Sequence, residues 1–204
     1  VDNYELVLRD IIVKLAKLNF AIVGDRTGAV FDIDNESLEI PFFGRKYIVS
    51  KTVCKALDGA NCGTKDAILI IDYLLSFGGF EPGSGWIDFR DLPGSMPYDA
   101  AFRAHVESQL EEHASEIIEH QNVLTDKYAG RVLGGFESYD FSAAFRVFPR
   151  LECLVLLCEG EDELQAGAKV LFSSDASRFM TTESLAAIAE SLTARLISLA
   201  EEPA

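Results

Sequence analysis

The sequence predicts an α+β fold, a small antiparallel sheet packed with several helices, and three observations predict it. Apolar residues at helical spacing mark both ends of the chain. Short strand-like runs broken by turn residues fill two stretches between them. Strands and helices do not alternate strictly, as a doubly wound parallel sheet would require. With 204 residues, 49% hydrophobic and 25% charged, the chain is expected to form one domain spanning 1–204. A chain of this size buries roughly 70% of its unfolded surface, enough for a core without disulfide or metal staples.

Taken in order, Asp2 to Leu18 reads as an amphipathic helix with Leu8, Ile11, Ile12, Leu15 and Leu18 as its stripe. Asp2 and Glu5 are spaced like a capping box. From Ala21 to Thr52 the texture is β: AVFDI, SLEIPFF and RKYIVSKTV are punctuated by Gly28, Asp34–Asn35 and Gly44, which predicts an antiparallel meander. Thr64 to Phe77 is apolar almost all round, so it should be the most buried helix, stopped by Gly78 and Gly79.

Trp86 to Arg90 should be a strand, followed by a turn at Pro93–Gly94, with Pro97 opening the next helix. That helix is expected to reach about Tyr128, broken at most once. Phe141–Phe148 and Leu151–Cys158 read as strands meeting at Pro149–Arg150, and Lys169–Phe172 as a third. Thr181 or Thr182 then caps a helix striped by Leu185, Ile188, Leu192, Leu196 and Leu199.

Thirty-three acids against 18 bases give a net charge of −15. Such a field repels nucleic acid and anionic membrane surfaces, whose affinity rests on Lys and Arg neutralising phosphates. The acids cluster in Glu107–Glu119 and Glu159–Glu163, read as solvated faces. No apolar run approaches the roughly 20 residues that span a bilayer. The start, VDNYELVLRD, lacks the basic and apolar regions of a signal peptide, so the cytoplasm is the expected address.

Neither cysteine pair, Cys54 and Cys62 or Cys153 and Cys158, has the spacing of a zinc or redox motif, and buried free thiols are expected. GGFEPGSGW lacks the Walker spacing and lysine, and reads as a loop around Gly83–Gly85.

Two segments are dense in special residues: GWIDFRDLPGSMPYDAAFR from Gly85, and AKVLFSSDASRFMTTESLAAIAESL from Ala168. Both resemble the hallmark blocks of the uncharacterised family called domain of unknown function 3786. The resemblance covers most of the chain. It implies a source among anaerobic bacteria and archaea. Because some relatives carry an iron–sulfur domain, it also implies a role in anaerobic redox or one-carbon metabolism and an iron–sulfur protein as partner. This chain lacks the clustered cysteines of that domain. The resemblance touches Trp86, Arg90, Pro93, Gly94, Tyr98, Phe102, Arg103, Phe172, Asp175 and Glu183, and it assigns none of them a role.

The ligand-binding residues expected are Trp86, Arg90, Tyr98, Arg103 and Asp175. Arg90 ends a strand and Arg103 sits one turn into a helix, the usual rims of a pocket. Two guanidiniums could clamp a carboxylate or phosphate. The alternative is a structural bridge from an arginine to Asp175.

His113 and His120 fall within about 20° of each other on a continuous helix, among Phe102, Val106, Leu110, Ile117 and Leu124. A histidine in such a stripe is either hydrogen-bonded core or a ligand to a metal or tetrapyrrole. At about 10 Å apart along the axis, the two could not share one ion.

The reading favoured is a cytoplasmic ligand-binding or accessory protein, with a corrinoid or haem as the sharpest ligand and His113 or His120 as axial donor. An enzyme holding a small anion between Arg90 and Arg103 is the first alternative. A structural partner of an iron–sulfur protein is the second.

Overall fold

The computed structural model describes residues 3–79, 85–160 and 166–201. The expected capping box at Asp2, part of the Gly83–Gly85 loop and most of the Glu159–Glu163 acidic run lie outside the described residues. Among the described residues the fold is α+β, with two antiparallel sheets, a four-stranded meander and a five-stranded sheet.

Helix α1 (Asn3–Leu15) buries Leu15 and lays Leu8, Ile11 and Ile12 against the core. The β texture expected from Ala21 does not start there, because a second helix, α2 (Phe20–Thr27), comes first. Its signals are local. Asn19 caps it by accepting from the Ala21 and Ile22 amides, Gly28 ends it at φ 78°, and Phe20, Val23, Gly24 and Thr27 are buried at helical spacing. Gly28 is required twice over, because a Cβ there would also stand 2.7 Å from Pro149.

The meander follows, with β1 (Val30–Asp32), β2 (Ser37–Phe42) and β3 (Arg45–Val49) in the three predicted runs and a fourth strand, β4 (Cys54–Ala56), beyond their expected end, each antiparallel to the next. Helix α3 (Thr64–Leu75) buries Ala67, Leu69, Ile70, Ile71, Tyr73 and Leu74. It stops two residues short of the expected end, and Phe77 is 93% exposed rather than core. The chain leaves the helix at Ser76, before the two glycines.

The larger sheet has the order β5 (Trp86–Asp88), β9 (Gly167–Ser173), β8 (Leu151–Cys158), β7 (Phe141–Phe148), β6 (Gly130–Val132). The β5 strand is shorter than expected. It gives way at Phe89 to a 3-10 turn, Phe89–Asp91, because the Asp88 carboxylate caps the Arg90 amide and turns the chain. Pro97 lies in the turn before the helix rather than in its first residue, and α4 (Asp99–Phe102) begins two residues later.

From there a helical run crosses the sheet from its β5 edge to its β6 edge. It consists of α4, a π-helical turn at Arg103–Glu107, α5 (Ser108–Glu112), α6 (Ala114–Glu119) and α7 (Gln121–Lys127), touching β9, then β8, then β7. The run breaks at His113 and again at His120, not once. Helix α8 (Thr182–Ala200), capped by Thr181, packs its predicted stripe Leu185, Ile188, Leu192, Leu196 and Leu199 against this run and α3. No helix among the described residues is long and apolar enough to cross a membrane.

Candidate functional site

A buried aromatic column runs from α3 to the β2–β3 turn. Tyr73 of α3 stacks on Phe148 at 4.2 Å, Phe148 on Phe42 at 4.9 Å, and Phe42 meets Phe43 at 4.5 Å. The column ends at the β2–β3 turn, where Phe43 and Gly44 adopt φ 47° and 78°, the type I′ geometry that a two-residue hairpin prefers. Gly44 suits that turn. A buried phenylalanine at positive φ is a strained choice, of the kind that accumulates at functional sites. The strain is held by the Phe43 amide, which donates to the Val147 carbonyl at 3.1 Å and so ties the two sheets together.

Above this turn lies Arg195, the only base of α8. Its guanidinium carbon is 4.8 Å from the Phe43 ring centre and 5.3 Å from that of Phe42. The same group meets Asp66, in the first turn of α3, at 2.6 Å, and bonds Ser191 through both its hydroxyl and its carbonyl. Arg195 and Asp66 are about three-quarters buried, so the arginine is pinned on every side. Stacking and a carboxylate partner together suit a delocalised guanidinium, not an ammonium.

The Asp66–Arg195 pair divides two hollows. One, of about 470 Å³, lies between α1, α3 and α8 and includes Tyr4, Lys65, Ile68, Ala187 and Glu190. The other, of about 490 Å³, is walled by Phe42, Phe43, Tyr47 and Tyr128, with Arg45, Lys127 and Arg195 against Asp58 and Asp66. Three bases against two acids reverse the sign of a strongly acidic protein. Arg45 holds both oxygens of Asp58, at 2.7 and 2.9 Å, and this contact raises the guanidinium's pKa. Lys127 lies over the Tyr128 ring at 5.8 Å and has no carboxylate within ion-pair distance among the described residues. Burial pushes the Tyr47 phenol up, helped by the negative charge of Asp66, so Tyr47 stays a neutral donor.

The residues expected from sequence lie elsewhere. Arg90 and Arg103 do join one charged network: Arg90 pairs with Asp88 at 3.3 Å and Lys169 reaches Asp88 at 3.4 Å. Lys169 also meets Glu107 at 3.1 Å, and Arg103 spans Glu107 and Glu111. Both arginines are about 60% exposed and already face carboxylates. Asp175 holds the N-cap position of the 3-10 turn Ala176–Arg178, and its charge reaches Tyr73. Trp86 is half-buried on β5 and Tyr98 is exposed in the turn before α4.

The histidines are not in the buried stripe. Both are half-buried, because each sits where the helical run breaks and rotates. His113 Nδ1 bonds the Gln109 carbonyl at 2.9 Å and His120 Nδ1 that of Glu116 at 2.8 Å. His113 Nε2 stands 3.5 Å from Glu201. Among the described residues no cluster of three or more His, Cys, Asp or Glu side chains could hold a metal ion. All four cysteines are free, as expected, but only Cys153 is buried; Cys54, Cys62 and Cys158 are half-buried.

Sequence reading misses Asp66, Arg195, Arg45 and Lys127, which are scattered over four elements. One local signal exists: Phe43–Gly44 at a hairpin turn puts a bulky residue where Asn or Asp is usual.

No curated protein and no solved structure matches the chain. A family model does, over residues 19–195, which takes in the meander, both dense segments and α8 as far as Arg195. The chain therefore belongs to the family described as Domain of unknown function (DUF3786).

Proposed function

We propose that this protein binds a small, flat organic anion in the hollow between the β2–β3 turn, α7 and α8. The observation that carries the reading is the placement of Arg195: stacked on Phe42 and Phe43, fixed by Asp66, and facing a hollow that also holds Arg45 and Lys127, an ammonium with no carboxylate partner among the described residues. A site of this kind, with four aromatic rings, five convergent charged groups and a volume of several hundred Å³, suits a molecule the size of an aromatic carboxylate. The anion would meet Lys127 and lie against Tyr128, which is only half-buried. The test is calorimetric titration with benzoate, phthalate and inorganic phosphate. The reading expects phthalate or benzoate to bind and Lys127→Ala to weaken it with little change in melting temperature. Equal affinity of wild type and Lys127→Ala for every probe overturns it.

A tetrapyrrole, corrinoid or haem, is the second reading. What supports it is the orientation of His120: with Nδ1 held by the Glu116 carbonyl, the ring presents Nε2, the usual arrangement of a metal-ligating histidine, whereas His113 Nε2 already faces Glu201. Titration with haem and with cobalamin, followed by absorbance in wild type, His113→Ala and His120→Ala, tests it. A spectral shift lost in one variant supports the reading, and unchanged spectra in all three sink it.

A further inference from the structure

Strand β4 turns back on itself through Leu57–Ala60. Ala56 donates to the Ala60 carbonyl at 3.2 Å, and Lys55 bridges Asn61 in antiparallel register. One residue further out, that register sets Cys54 directly opposite Cys62. Opposed residues of an antiparallel pair hold their Cα atoms about 4.5–5.5 Å apart. That separation falls inside the range of about 4.4–6.8 Å that a disulfide spans. Both thiols are free and half-buried, within reach of a small reagent, whereas Cys153 is fully enclosed.

We propose that Cys54 and Cys62 are a redox-active dithiol that closes to a cross-strand disulfide by exchange with a small disulfide. The proposal stands on the hairpin register and not on what the neighbouring hollow binds.

The two thiols have different roles. Pairing with the neighbouring Cys54 thiol lowers the Cys62 pKa and raises that of Cys54, and the Cys62 thiol lies 3.6 Å from the Gly63 carbonyl. Arg45 and Arg195 add to the lowering at Cys62, against burial and Asp66. Cys62 also lies just before Gly63, at the N-terminus of α3, where the helix dipole favours a thiolate. Cys62 is therefore the attacking sulfur. Its thiolate forms a bond to one sulfur of the incoming disulfide. The reagent's own S–S bond breaks, and its first half leaves as a thiolate that takes a proton. Cys54 then gives its proton to solvent and attacks Cys62 Sγ, and the second half leaves as a thiol. The protein loses two electrons and two protons, and the reagent gains them. Closure clamps the loop that carries Asp58, the partner of Arg45.

The experiment uses the folded, fully reduced chain incubated with glutathione disulfide, quenched with acid, alkylated and mapped by peptide mass spectrometry. The expected result is a peptide linked through Cys54 and Cys62, with Cys153 and Cys158 still alkylated. Cys54→Ser should accumulate a mixed disulfide at Cys62, and Cys62→Ser should react about tenfold slower at Cys54. A mixed disulfide that persists at Cys62 in the unaltered chain overturns the proposal. So does a linked peptide that forms only in denaturant, or equal reaction rates at Cys54, Cys62 and Cys158.

Discussion

Arg195 on α8 meets Asp66 on α3 at 2.6 Å, and this one pair joins the C-terminal helix to the helix that carries the aromatic column. Because both side chains are largely buried, removing one partner strands the other's charge. Asp66→Asn is expected to cost about 1–3 kcal/mol in urea unfolding. It should also weaken anion binding, since Arg195 loses the contact that orients it over Phe43. A variant as stable as wild type would show that the pair carries neither load.

Glu107 is expected to be the more sensitive carboxylate. Its side chain is only 5% exposed, and it faces Lys169 and Arg103 from inside the π-helical turn. Glu107→Gln leaves two cations without their shared partner, at a cost of about 2–4 kcal/mol. Replacing the more accessible Glu111 by Gln should cost well under half as much. If the two variants melt together, Glu107 is not what fixes the π turn against β9.

Acid should loosen the β5 edge first. Burial pushes the Asp88 carboxyl up, but the Arg90 amide and the Lys169 ammonium outweigh it and hold the carboxyl below its ordinary value. A lowered carboxylate contributes stability that is present above its unfolded pKa of about 3.9 and lost as pH falls through the folded value. Asp88→Asn should therefore flatten the stability profile below about pH 4. Parallel profiles for the variant and wild type would contradict this.

Much of the fold is legible in the sequence because it rests on periodicity. The α8 stripe, the first three strands of the meander and the β7–β8 hairpin stand where alternation and helical spacing put them. The misses have local causes. Asn19 and Gly28 are cap signals that the β-branched residues between them outweigh, so the α2 segment reads as strand. His113 and His120 look buried only on an unbroken helix, and the π turn and the two breaks change the phase between them and Phe102. The site is hidden for a different reason. Asp66 and Arg195 are 129 residues apart, and no spacing rule links two helices that meet only through tertiary packing.

Alkaline pH should act through Tyr73. Its hydroxyl donates to the Thr27 carbonyl at 2.7 Å and accepts from the Arg150 amide at 3.2 Å, and burial pushes its pKa far up. A raised pKa contributes stability that is full below the unfolded value of about 10 and lost as pH rises towards the folded one. Tyr73→Phe should cost about 1–3 kcal/mol at neutral pH. It should also remove part of the decline above about pH 10. Loss of stability at neutral pH with an unaltered alkaline decline would place the titration elsewhere.

Where an anion binds is the most direct test of the account. Amide chemical-shift mapping of the isotopically labelled chain, titrated with phthalate, reads the location whatever the natural ligand is. The account predicts saturating shifts at Gly44, Arg45, Lys127, Tyr128 and Arg195, reduced in Lys127→Ala. Shifts confined to Arg90, Arg103 and their neighbours on the β5 edge, or no saturable shift at all, would contradict it.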